Sequence, residues 1–136
     1  MNHQAHQAHQ EVAGDIDRIA RSVVDAGLRV HQALGAGLLE SAYEQCLAYE
    51  LASRGLALQR QVPLPIAYRG VKLDAGYRLD LLVESSVIVE IKAVEALTRL
   101  HGAQILTYLK LSGIRLGLLM NFNVALFKDG VKRFAL

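Results

Sequence analysis

Asp80, Glu90 and Lys92 are the residues whose types and spacing best support a reaction in this 136-residue chain. They lie in Tyr77-Arg-Leu-Asp-Leu-Leu-Val83, then Glu84-Ser-Ser86, then Val87-Ile-Val-Glu-Ile-Lys92, the pattern of two strands joined by a three-residue loop. Side chains alternate across a strand, so Glu90 and Lys92 share one face and Val87, Val89 and Ile91 the other. Pairing Val83 with Val87 places Leu82 against Ile88, Leu81 against Val89 and Asp80 against Glu90. Opposed carboxylates cost a sheet about 0.2–1 kcal/mol where water screens them, and more where they are buried. A shared proton, the Lys92 ammonium or a divalent cation bound by both would each relieve the repulsion. Oxygen donors without suitably spaced Cys or His select Mg²⁺ or Mn²⁺ over zinc. A lysine beside a carboxylate-bound metal can hold a phosphate and favour ionisation of an attacking water, which is the equipment for phosphodiester hydrolysis. The plainer alternative for a Glu-x-Lys strand is a solvated face.

Other candidates surround this hairpin. Gln104 and Tyr108 lie four residues apart, with His101 three residues before Gln104, so all three share one face of a helix expected over Thr98 to Ser112 and closed by Gly113. Upstream, a helix from Glu11 to Leu34 stops at Gly35. A second runs from about Leu38 to Arg54, with Leu39, Ala42, Tyr43, Cys46, Leu47 and Leu51 as its buried stripe and Gly55 as its stop. The short joint brings Glu40 near the end of the first helix. Gly37 suits a positive φ or a close helix approach there. Tyr43, one turn from Glu40, is placed either to bond a carboxylate or to pack, and Cys46 reads as a small apolar residue.

The remaining periodicity is extended. Strands are expected over Leu56 to Val62, Leu64 to Tyr68, Val71 to Asp74, Tyr77 to Val83, Val87 to Lys92, Ile114 to Phe122, Val124 to Lys128 and Val131 to Ala135, with turns at Arg69-Gly70 and Asp129-Gly130. Two helices, a sheet with an embedded helix and further sheet make an α/β or α+β sandwich.

Length and composition allow one domain over residues 11–136. Hydrophobic residues make up 52% and charged residues 21%, a globular balance. Residues 1–10, with His3, His6 and His9 in an HQA repeat, read as a disordered or tag-like tail. One cysteine excludes an intrachain disulfide framework and a Cys-based zinc cluster, and fits a reducing, cytoplasmic setting. No apolar run is long enough to span a bilayer. Residues 11–50 hold three Lys/Arg against seven Asp/Glu, whereas residues 99–136 hold six against one. The last third is therefore a candidate phosphate-binding surface, through Lys110, Arg115, Lys128, Lys132 and Arg133.

In order along the chain, these residues resemble a known pattern. Asp80, nine residues, then Glu90-Ile91-Lys92 resembles the PD-(D/E)xK nuclease signature, and Gln104-x-x-x-Tyr108 resembles the QxxxY helix motif of that superfamily's exonuclease branch. Gly37-Leu-Leu-Glu40-Ser-Ala-Tyr43 matches the GxxExxY motif of a small bacterial family within it. The surrounding segments LGAGLLESAYEQCLAYEL, GYRLDLLVESSVIVEIKAV, AQILTYLKLSG, LGLLMNF and DGVKRF are similar to that family. The proline of the superfamily's name is replaced by Leu79. The resemblance implies a restriction-endonuclease-like α/β fold, with a central mixed β-sheet flanked by α-helices. It also implies a metal-dependent nuclease in which Asp80, Glu90, Glu40 and the Ile91 carbonyl hold Mg²⁺ or Mn²⁺. Lys92 would orient water and phosphate, and Gln104 and Tyr108 would support Lys92 or touch DNA. A catalytically silent nucleic-acid-binding or assembly module of the same fold, and a toxin-like component acting on RNA, are the alternatives. Contacts to nucleic acid would be sequence-independent, and a homodimer would set two sites on opposite strands.

Overall fold

A computed structural model describes residues 3–136, with side chains from Gly14 onward. The helix expected from Glu11 begins at His3, so residues 3–10 of the expected tail continue α1, and residues 1–2 lie outside the described residues. The elements are α1 (His3–Leu34), α2 (Glu40–Ser53), β1 (Leu58–Pro63), β2 (Ile66–Tyr68), β3 (Val71–Leu73), β4 (Arg78–Val83), β5 (Val87–Lys92), α3 (Arg99–Ser112), β6 (Leu116–Asn121) and β7 (Val131–Ala135). Among the described residues no helix is long and apolar enough to cross a membrane.

The central sheet has five strands in the order β1-β4-β5-β6-β7, and β2 and β3 form a separate two-stranded ribbon. β5 and β6 are parallel, and each other neighbouring pair is antiparallel. A parallel pair needs a crossover, and α3 supplies it. Val23, Val30, Leu47 and Leu51 of α1 and α2 pack on one face of the sheet against Leu81, Val89, Ile91 and Leu118. Tyr108 and Leu109 of α3 cover the other face against Leu79 and Ile88. The central strands are therefore buried on both sides, which accounts for their near-continuous apolar runs. The result is a mixed sheet flanked by helices, as expected.

Two local expectations fail. The stripe of α2 is rotated: Tyr43, Glu44, Leu47, Ala48 and Leu51 are buried, whereas Leu39 is 75% exposed and Cys46 is exposed. The buried positions 43, 44, 47, 48 and 51 occupy one arc of the helical wheel, and 39 and 46 lie outside it. The strand expected over Val124 to Lys128 is absent, and the chain there bends into a 3₁₀ turn at Phe127–Gly130. The reason is pairing, because β7 folds back on β6 itself, with Met120 opposite Val131 and Leu116 opposite Ala135. Residues between them are a connection without a sheet partner. Phe127 is tucked in against Phe122, with ring centroids 5.0 Å apart, and against Gly27 of α1.

Gly37 has φ +101° and Gly35 φ +69°, so the α1–α2 joint uses glycine for its left-handed backbone, and a Cβ at Gly37 would meet nothing. Gly130 is constrained differently, because a Cβ there would lie 2.1 Å from the main-chain oxygen of Asn121. Gly130→Ala should therefore lower unfolding free energy by about 1–3 kcal/mol in urea titrations, the usual range for forced overpacking. Gly14→Ala, on an exposed helix position with open space around it, should leave stability unchanged or raise it.

Candidate active site

The register of the β4–β5 hairpin matches the sequence count through Leu81↔Val89, Leu82↔Ile88 and Val83↔Val87. Beyond Leu81 the ladder is replaced by side chains. The Asp80 carboxylate accepts the Ile91 N–H at 2.8 Å, and the Glu90 carboxylate accepts the Asp80 N–H at 3.4 Å. Each carboxylate takes the place of a strand carbonyl on its neighbour, so the pair is cross-linked through main chain and not merely juxtaposed.

The same break runs into β1. Leu58 and Leu81 pack toward α1 and α2, yet Val62 and Leu79 pack toward α3, and the register skips Gln61 and Asp80. Gln61 has φ +52°, a strained value for a side-chain-bearing residue. Its amide nitrogen donates to Glu44 at 2.6 Å and reaches Asp80 at 3.4 Å. Glu44 also accepts from the Arg60 guanidinium at 3.0 Å. The α2 carboxylate linked to the hairpin is thus Glu44, which sequence reasoning missed. Its place beside Tyr43, Leu47 and Leu51 on a helical wheel was the available signal.

Glu90 is 4% exposed. Burial, followed by the charge and hydrogen bond of Asp80, pushes its carboxyl from 4.5 up to about 9, against a smaller opposing pull from Lys92. Without a cation, the buried Glu90 carboxyl therefore keeps its proton at neutral pH. Lys92 follows on the same face of β5, and the strand beyond it is clamped by Asn121. The Asn121 amide accepts from the Val94 N–H at 3.0 Å and donates to the Val94 carbonyl at 2.9 Å, while Phe122 N–H donates to the Lys92 carbonyl at 2.9 Å. A buried amide thereby continues the β5–β6 ladder past its last pair.

Lys92 opens into a cleft of about 570 Å³, where His101, Gln104 and Tyr108 of α3 line the wall. α3 is positioned by a capping box, in which Thr98 Oγ1 accepts the His101 N–H and His101 Nδ1 accepts the Thr98 N–H. Tyr108 is buried, and its phenol is pushed up to about 12 by burial and then by Glu90, with Gln104 pulling the other way.

Other expected residues are placed elsewhere. Glu40 is exposed at the first turn of α2, where its charge complements the helix N-terminus. Among the described residues, no three His, Cys, Asp or Glu gather as a metal cluster, so Glu40 does not join Asp80 and Glu90. Tyr43 bonds no carboxylate. Its hydroxyl donates to the Gly35 carbonyl at 2.6 Å and accepts from Leu38 N–H at 3.1 Å, while its ring stacks on Phe122. The basic residues do not form one surface. Lys132 lies beside α3, whereas Arg133, its neighbour on the alternating strand, faces α1 and pairs with Asp17. Lys110 and Arg115 sit at the end of α3 and the start of β6, the opposite end of the sheet from Lys92; Lys128 is on the Lys92 side.

The family model described as the PD-(D/E)XK nuclease superfamily matches residues 17–134. The chain belongs to this superfamily. No curated protein and no solved structure matches it. Nucleases of the PD-(D/E)XK superfamily typically use divalent metal ions, and the donor set fits one. Two neighbouring carboxylates, Glu90 kept neutral by burial and then by the charge of Asp80, supply hard oxygen ligands. Magnesium sites commonly use one or two carboxylates, leaving the remaining positions to water and phosphate.

Two tests follow from this geometry. In chelator, folded Glu90 keeps between pH 4.5 and about 9 a proton that the unfolded chain releases. The Glu90 contribution to stability should be full below about pH 4.5 and fall as pH rises toward 9. Glu90→Gln should flatten that slope in thermal melts, and an unchanged slope would contradict the raised Glu90 carboxyl. Tyr43→Phe, which removes one donor and one acceptor at the α1–α2 joint, should cost about 1–3 kcal/mol in urea unfolding.

Proposed function

We propose that this chain is a divalent-metal-dependent nuclease of the GxxExxY type that hydrolyses phosphodiester bonds, with DNA as the first substrate to examine. The reading is carried by one observation: two carboxylates on adjacent buried strands hold each other's main chain, one residue pair from a lysine that opens into a cleft. Asp80, Glu90 and the Ile91 carbonyl would hold Mg²⁺ or Mn²⁺. A bound cation supplies charge stabilisation at the phosphate and lowers the pKa of the attacking water.

The chain's own residues do the rest. Lys92 presents its ammonium to a non-bridging phosphate oxygen, and the Asn121 clamp fixes where that strand ends. Gln104 and Tyr108 wall the substrate side of Lys92. Glu44 acts through Gln61 to hold Asp80, and it takes the assisting acidic role in place of Glu40. The exposed, unpaired Cys46 fits a reducing compartment such as the cytoplasm.

The test is cleavage of labelled single-stranded, duplex and branched DNA, and of RNA, in Mg²⁺, Mn²⁺ or chelator. Wild type should cut with metal only, and Lys92→Ala should lose at least about a hundredfold in rate, the scale for removing one transition-state donor. Silence on every substrate would favour a binding module instead. Asp80→Asn keeps an oxygen for the Ile91 N–H while removing a repelling charge. It should abolish Mn²⁺ binding by calorimetry yet melt no lower than wild type in chelator.

A further inference from the structure

The wall of the Lys92 cleft is made largely of carbon, and much of it lacks a protein partner. Leu100 is 76% exposed, Tyr77 40% and Leu111 36%, and these converge with Ile66 and Tyr108 around one concavity. Leu100, Gln104, Tyr108 and Leu111 fall at helical spacing on α3, so the face is continuous. The Tyr77 ring is already oriented, meeting Tyr108 edge-on with centroids 6.0 Å apart and planes at 63°. The concavity of about 570 Å³ is within the ordinary range for a small-ligand site, about 300–1,000 Å³.

What the cleft receives follows from what stands at its inner end. A phosphate held by Lys92 carries its own sugar and base, and these must occupy the space next to that lysine. A sugar-phosphate backbone would call for cations along the wall, but Lys92 is the Lys or Arg that lines it. Aromatic and aliphatic side chains instead suit a flat heterocycle. A base within a duplex is stacked on both faces and must leave the stack, at the cost of unstacking and unpairing, before it can enter. Polar groups are available for its edge: the Gln104 amide, and His101, whose Nδ1 accepts the Thr98 N–H and so leaves the ring proton on Nε2.

We propose that this cleft binds the unpaired base next to the scissile phosphate, stacked against Tyr77 between Leu100 and Leu111, which makes the substrate a single strand or a frayed end. The proposal rests on the nuclease reading for the phosphate at Lys92. Stacking tolerates any base, so the cleft selects for lack of pairing and not for sequence.

The experiment compares a labelled single-stranded oligonucleotide with an abasic strand of equal length and charge, and with a blunt duplex, by anisotropy in chelator and by cleavage in Mg²⁺ and Mn²⁺. Wild type should bind the base-bearing strand about tenfold more tightly than the abasic strand, the scale of one or two stacked bases. Tyr77→Ala and, as an independent change at a solvent-exposed position, Leu100→Asp should remove most of that difference, and Tyr77→Phe should keep it. Equal affinity for abasic and base-bearing strands, or discrimination untouched by both Tyr77→Ala and Leu100→Asp, would overturn the proposal. Cleavage of abasic and base-bearing strands at equal rates would remove the base cleft and leave the nuclease. Base discrimination with no cleavage under any metal would remove the nuclease and leave the base cleft.

Discussion

The structure is organised around the cost of holding two carboxylates together in a buried sheet. Asp80 and Glu90 sit on neighbouring strands covered on both faces, where a carboxylate is poorly solvated and a second negative charge is worse. An ordinary antiparallel register would leave them opposed with nothing to bind. The hairpin instead ends its ladder at Leu81↔Val89, and each acid accepts a main-chain N–H from the other strand. That exchange satisfies two amides the ladder would otherwise orphan, and it fixes both side chains relative to the backbone. The electrostatic conflict remains and is relieved by a proton in the metal-free state. In the proposed nuclease a divalent cation held by Asp80 and Glu90 would take the place of that proton and relieve the same repulsion.

Support for this pair arrives from two directions. On the β1 side, Gln61 adopts a left-handed conformation of the kind that costs about 1–3 kcal/mol. The conformation persists because it aims the amide at Glu44 while keeping Asp80 within reach. Glu44 is anchored in turn by Arg60 and by its place on a helix that Tyr43 ties to the preceding loop. On the β6 side, Asn121 holds Val94 by both its main-chain groups, so the strand does not fray directly after Lys92. Gly130 lets the following turn close over the Asn121 carbonyl. The acids and the lysine are thus constrained by residues that need not touch substrate.

Much of the fold and part of the site were legible in the sequence, for identifiable reasons. The Val83–Val87 register could be counted because the loop joining the two strands is short. The Thr98 and Gly113 boundaries of α3 could be read because capping chemistry is local. Glu44 was hidden because a charged residue next to Tyr43 reads as surface unless the helix is phased from Tyr43, Leu47 and Leu51, and Cys46 and Leu39 drew the stripe the wrong way. The Gln61 kink has no local sequence signal, since it arises from two strands and a helix meeting. The strand expected at Val124 failed because alternation reports propensity, whereas a strand also needs a free edge, and β7 had taken that of β6.

Charge is segregated along the chain more than it is in space. The acidic first third and the basic last third meet in the fold, where Arg133 pairs with Asp17 across the α1 face. Lys110 and Arg115 are carried to the far end of the sheet by the same crossover that makes β5 and β6 parallel. At the carboxyl ends of β5 and β6, where ligands of open α/β sheets gather, stand Lys92, Arg99, Lys128 and Lys132. In the nuclease reading, few cations would neutralise few phosphates, so counterion release would supply little of the affinity. The hold on substrate would then fall to the Asp80–Glu90 pair and to the apolar wall beside Lys92, formed by Tyr77, Leu100 and Leu111 between β5 and α3.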